Sequence, residues 1–187
     1  MGEDGLQRLR AGEAEAVDRL YRAHAGTVLG WVIRLGAPMV DPEDTAQEVF
    51  AVALGRLSAI RGDNLLAWLY GITRRVVANA RRRAAFRRFL HLDAAPEPVS
   101  EHPHADAALE QHRRRRLVQD LLETLPFEQR EVLVLVDLEE RAAPEVAVLL
   151  GVPVGTVYSR LHRARRAFAA ALASTAPARV ALAGSAP

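Results

Sequence analysis

The sequence predicts an all-α protein of two small helical domains. A flexible acidic, proline-rich linker joins them, and the C-terminal domain contains a helix-turn-helix. Three observations predict this. Apolar residues recur at helical spacing along most of the chain, as in Ala46, Val49, Phe50, Ala53, Leu54 and Leu57. The stretch 93–106 has no such period and gathers prolines and acids. Near the C-terminus two helical patterns meet at Gly151-Val152-Pro153, the second rich in arginine. The expected division is a first domain over 10–92, a linker over 93–106, a second domain over 107–172 and a disordered tail over 173–187.

With 187 residues, half of them hydrophobic, the chain has material for one large or two small cores. The absence of cysteine excludes disulfides and thiolate metal sites. No apolar run approaches membrane-spanning length, and the charged start from Met1 to Leu9 lacks a signal-peptide core, so a soluble intracellular protein is expected. Net charge is only +2 but unevenly placed. Residues 61–90 hold eight arginines against one acid, whereas 91–112 hold five acids and no arginine. Residues 141–187 return to six arginines against one acid. Two basic blocks separated by acidic ones suggest two nucleic-acid contact surfaces on one chain.

Taken in order, residues 1–12 read as frayed, and 13–36 as two helical sets ended by Gly36-Ala37-Pro38. Asp41-Pro42-Glu43-Asp44 is a helix start: Asp41 suits an N-cap, Pro42 the first position, and the two acids the positive end of the helix dipole. Opposite that helix's apolar stripe stand Asp44 and Glu48, one turn apart, with Gln47 beside them. A solvated face and dipole compensation explain Asp44 well and Glu48 less well; a partner with a basic surface explains both. A polar loop over 58–64 precedes a long helix from about Leu65 to about Leu92. Leu65, Trp68, Leu69, Ile72, Val76 and Val77 make its apolar face, and arginines dominate the rest. Trp68 and Tyr70 can stack on bases, although a Trp at an apolar helical position is more often core.

In the linker, His102 and His104 lack a third ligand at helical spacing and are no metal site. A helix then runs from near Ala107 to Leu125 with the basic run Arg113–Arg116, and another begins at Pro126. In the last segment Val154, Val157, Leu161, Ala164 and Phe168 form an inward stripe, and Gly155, Ser159, Arg163 and Arg166 lie opposite it. Thr156, Arg160 and His162 flank that outer face. Charge pattern alone fits a solvated amphipathic helix equally well. The small residues Gly155, Thr156 and Ser159 favour close approach to a major groove, where Arg160 can reach guanine, and Arg163, Arg165 and Arg166 can meet phosphates.

Two sets of residues carry a resemblance. Leu125-Pro126-Phe127-Glu128-Gln129-Arg130-Glu131-Val132-Leu133, with the helix-turn-helix from Leu149 to Arg166, resembles the promoter-binding domain of extracytoplasmic-function sigma factors of the sigma-70 family. Asp41-Pro42-Glu43-Asp44-Thr45-Ala46-Gln47-Glu48-Val49-Phe50 and Trp68-Leu69-Tyr70-Gly71-Ile72 resemble their N-terminal domain, in the family's order, over roughly residues 10–172. The resemblance implies an RNA polymerase sigma factor that binds bacterial core RNA polymerase and directs promoter recognition and transcription initiation. It assigns core binding to Asp44, Gln47 and Glu48, with Phe50 as apolar support. It assigns contacts to the minus-ten element to Arg61, Asp63, Asn64, Trp68, Arg74, Arg75, Asn79 and Arg82. Contacts to the minus-thirty-five element fall on Gly155, Thr156, Tyr158, Ser159, Arg160, Arg163 and Arg166.

Promoter DNA and an anti-sigma factor are the further partners the resemblance implies, in a cytoplasmic setting. No cofactor, metal or enzymatic activity is expected, because no catalytic constellation is visible. The sequence departs from the family pattern in places. Tyr158 stands where a basic residue is usual, Ala143-Pro144 replaces a more polar helix start, and Gly71 and Arg75 stand where Arg and Asn are common. The loop before Trp68 is one residue shorter than the commonest version. The competing reading is a stand-alone helix-turn-helix transcriptional regulator whose N-terminal half dimerises or senses.

Overall fold

The computed structural model describes residues 3–36, 38–60, 64–90 and 106–183, with side chains described throughout except at 106–112 and 176–183. Among these residues every regular element is helical. The helices are α1 (Glu3–Arg10), α2 (Ala14–Gly36), α3 (Pro42–Leu54), α4 (Leu65–Phe89), α5 (Asp106–Glu123), α6 (Phe127–Leu133), α7 (Ala143–Leu150) and α8 (Val154–Ala183). A 3-10 turn at Leu57–Ala59 and a π turn at Val134–Leu138 complete the order. The chain divides into two compact units; α1 to α4 lie in the first, to which Val148–Gly151 also belong.

In the first unit α2, α3 and α4 pack on one another. Val28, Trp31, Val32, Leu35, Val49, Ala53, Leu69, Tyr70, Val76 and Val77 are buried. Trp31 and Tyr70 meet edge to face with ring centroids 4.9 Å apart, an arrangement worth about 0.5–1.5 kcal/mol beyond area burial. Gly36 ends α2 where a Cβ would lie 2.5 Å from Val40 Cγ2, so any side chain there would force Val40 to shift. The expected N-terminus of α3 is present. Asp41 is extended and its Oδ1 accepts the Asp44 N–H at 2.8 Å, with Pro42 in the first turn.

Several expectations are corrected. Residues 3–12 are not frayed: α1 buries Leu6 and Leu9 in a cluster with Ala16, Leu20, Leu57, Ile60 and Leu65. Two leucines three residues apart, in an eight-residue helix full of charge, make a weak periodic signal in sequence. The two sets in 13–36 form one continuous helix, because Gly26 is tolerated in its interior. Ile60, placed in a polar loop, is buried at 2% exposure. Leu54, placed in the buried stripe, is 46% exposed because α3 ends there. α8 continues through Ala183, well into the stretch expected to be a disordered tail, as its alanine content favours. The linker residues 93–105, with His102 and His104, lie outside the described residues.

In the second unit, Leu121, Leu122, Leu125, Val132 to Leu135, Val146, Ala147, Val157, Leu161 and Ala164 are buried. α6 packs along α8, and α5 also touches α8. No helix of the described residues is long and apolar enough to cross a membrane.

Candidate nucleic-acid interface

α3 presents the acidic face. Once Asp41 fixes where the helix starts, Asp44 and Gln47 are exposed and Glu48 is half-buried, on successive turns. Glu48 is not bare: its Oε2 accepts a hydrogen bond from Arg83 Nη2 of α4 at 2.8 Å. Phe50 points the other way, 8% exposed, with its ring edge to face on Tyr21 at 4.8 Å. Tyr21 itself is 53% exposed. Together with Ala25, Leu29, Ala46 and Gln47 the two rings line a groove of about 300 Å³ between α2 and α3.

α4 carries the first arginine face. Asn64 is its N-cap, with Oδ1 accepting the Ala67 N–H at 2.9 Å. Its amide is therefore committed to starting the helix as well as standing at the candidate surface. Trp68 is half-buried and packs against the cluster formed with α1, so one face of the indole is in the core. Tyr70 is fully buried against Trp31 and cannot stack on a base, which corrects that reading. Arg74 is half-buried, while Arg75, Asn79 and Arg82 are exposed at helical spacing on one face. Arg82 Nη2 donates to Asn79 Oδ1 one turn back. Arg81 Nη1 reaches the Leu35 carbonyl at 3.4 Å. Arg61 and Asp63 lie outside the described residues.

The second arginine face is on α8. The turn before it is built by Gly151, whose φ of 65° is left-handed. Its N–H donates to Val148 O at 3.3 Å and the Val152 N–H to Ala147 O at 3.1 Å. That pair of bonds closes α7 as a Schellman motif and sets the angle at which α8 departs. Val157, Leu161 and Ala164 face inward as expected, whereas Val154 is 36% exposed at the helix start. Gly155, Tyr158, Ser159, Arg163 and Arg166 are exposed, and Thr156 and Arg160 are half-buried. A Cβ added at Gly155 would meet nothing within 4 Å, so the start of α8 is open to close approach. Ser159 Oγ donates to Thr156 O at 3.0 Å, and Arg163 Nε to Ser159 O at 3.2 Å, both within the helix.

Arg165 departs from expectation. The sequence groups it with the phosphate-contacting arginines, but its fork is spent on Asp137, with Nε at 2.9 Å from Oδ2 and Nη2 at 2.6 Å from Oδ1. The hydrogen bond and charge of Asp137 raise its pKa further above the usual arginine value. Sequence reasoning also missed Arg130, which is 1% exposed. Its guanidinium donates to Glu123 Oε2 at 2.9 Å, to Glu123 O at 3.0 Å and to Leu125 O at 3.2 Å. It thereby satisfies the carbonyl end of α5 and ties α5 to α6. The sequence signal is only an arginine shortly before an apolar run, with Glu131 between it and Val132 to Val136. Among the described residues, no group of three or more His, Asp or Glu could hold a metal ion.

The fold and these faces define a two-unit helical protein with an arginine-faced helix in each unit. The sigma-70 region 2 family model matches residues 20–87, which lie within α2 to α4. The sigma-70 region 4 model matches residues 115–168, from α5 into α8. The chain is 35% identical over 153 residues to the ECF RNA polymerase sigma factor SigE of Mycolicibacterium smegmatis, covering 80% of this chain and 58% of that longer protein. It is 33% identical over 162 residues to the ECF RNA polymerase sigma factor SigL of Mycobacterium tuberculosis, covering 84% and 89%. The solved structure of CnrH in complex with the cytosolic domain of CnrY superposes with a TM-score of 0.63 at 26% identity, covering 91% of this chain and 96% of that one. The chain belongs to the extracytoplasmic-function RNA polymerase sigma factors of the sigma-70 family.

Proposed function

We propose that this sigma factor docks on bacterial core RNA polymerase through the α3 face, and that α4 and α8 then engage the two promoter elements. Asp44, Gln47 and Glu48 are the core-binding side chains, with Phe50 holding the helix from beneath. Asn64, Trp68, Arg74, Arg75, Asn79 and Arg82 contact the minus-ten element, together with Arg61 and Asp63, which precede them in the sequence. Gly155, Thr156, Tyr158, Ser159, Arg160, Arg163 and Arg166 contact the minus-thirty-five element. A basic helix face with a half-exposed indole suits a single strand, held by phosphate contacts and stacking. An α-helix with a small-residue start suits the major groove of a duplex.

The observation that carries this reading is that two arginine-faced helices stand in separate units and one of them packs directly behind an acidic face. An acidic surface on a nucleic-acid-binding protein calls for a basic protein partner, because it would repel DNA. The chain contributes no catalytic group and works where polymerase works, in the cytoplasm. An anti-sigma factor is its regulator, occupying one or both of these faces; the related CnrH is captured with the cytosolic domain of CnrY.

Run-off transcription with purified core polymerase, on promoters from the source genome, tests the reading. A transcript that depends on this protein is expected. Tight sequence-specific duplex binding by the isolated chain, with no transcript on adding core, would instead identify a stand-alone regulator.

A further inference from the structure

The Glu48–Arg83 bond joins the two faces of the first unit. Glu48 lies one turn beyond Asp44 on α3, on the acidic face. Arg83 lies one turn beyond Asn79 on α4, next to Arg82. Their bond is 2.8 Å long and both side chains remain substantially exposed, Arg83 at 54% and Glu48 at 41%. Each group can therefore be reached by a competing ion without unfolding anything. A pair of this kind is worth little in water, so a better partner for either member can displace the other.

We infer that Arg83 is a further nucleic-acid contact of this protein, held back by Glu48 until that carboxylate is taken by a basic group of the polymerase. The inference rests on the core-binding role proposed for α3 and deepens it. Docking satisfies Glu48 from outside and releases a guanidinium beside Asn79 and Arg82. Binding the large partner thus adds one cation to the face that meets a single strand. The coupling is reciprocal: nucleic acid on Arg83 frees Glu48 for the partner by the same factor.

The test needs no polymerase in its first arm. The full chain is titrated against fluorescently labelled oligo(dT) by anisotropy over a salt series. Glu48→Gln should tighten binding roughly two- to five-fold, the range expected for freeing one exposed ion pair. The dependence of log affinity on log salt should steepen by about 0.7, one more phosphate contact on a single strand. Arg83→Gln alone should change little, and Glu48→Gln with Arg83→Gln should lose the gain. Asp44→Asn removes a neighbouring exposed acid that no described arginine holds, so it controls for charge alone. If Asp44→Asn gives the same gain, or the gain survives in the double variant, the inference is overturned.

In the second arm, Arg83→Gln in the presence of core polymerase should lower the yield of competitor-resistant open complex several-fold while leaving co-purification with core unchanged. Unaltered open-complex yield would overturn the inference. Undiminished co-purification of Glu48 variants would remove the docking assignment while leaving the oligo(dT) result to stand by itself. Matching urea denaturation midpoints for all variants exclude misfolding as a cause.

Discussion

α4 and α8 are both helices with rows of arginine, but their arginines are differently placed. On α4, Arg81 holds a carbonyl of α2, Arg82 is turned onto Asn79, and Arg83 is held by Glu48 of α3. On α8, among the described residues, Arg165 is bonded to a side chain from another segment, Asp137, while Arg163 bonds within its own helix. The outer face of α8 is thus presented as it stands, whereas part of the α4 face is woven into its own unit. The difference teaches that charge density in sequence overstates the cations available for phosphate, and overstates them more where helices pack tightly side by side.

The comparison can be broken most severely at α3. Asp44→Arg with Glu48→Arg should abolish association with core polymerase while the circular-dichroism spectrum stays helical; co-purification at native level would reject the α3 assignment. Next in size is the scaffold behind α8. Arg130→Ala removes a buried donor to the Glu123 and Leu125 carbonyls and to the Glu123 carboxylate and should cost about 3–5 kcal/mol. Hydrogen exchange should place the loss in α6 to α8 rather than in α1 to α4, and uniform protection loss would contradict this.

Smaller effects separate residues within α8. Arg160→Ala should cost about 1–3 kcal/mol at one base pair and relax preference there, whereas Arg163→Ala should weaken all promoters alike and reduce the salt slope by about 1. Affinity measurements on single-base promoter variants distinguish the two patterns. The smallest effect belongs to His24 of α2. Burial pulls its pKa below the ordinary 6.5. The unfolded chain therefore binds the proton more readily, so this contribution is present above about pH 6.5 and fades as pH falls through the depressed folded value. His24→Gln should flatten that slope in denaturation midpoints measured between about pH 5 and pH 7.

Much of the site was readable before any coordinates. The cap at Asp41, the exposed face of Asp44 and Gln47, and the outer face of α8 follow from short-range chemistry. Capping, dipole complementarity and helical period act within one or two turns, so a linear sequence contains them. What stayed hidden depends on residues far apart. Glu48 meets Arg83 across 35 positions and Asp137 meets Arg165 across 28. Tyr70 looked available for stacking until Trp31, from another helix, closed over it. α1 reads as frayed in sequence because its two leucines find their partners in α2, at the 3-10 turn and in α4.

By itself, then, the amino-acid order determined an all-helical chain, the start of α3, the turn before α8 and two basic stretches. Only tertiary structure decided which arginines face outward and which are held, and which aromatic rings are core. The reason is physical: a helix and its caps are made by neighbours in the chain, whereas the burial and pairing of a side chain are decided by whichever helix packs against it.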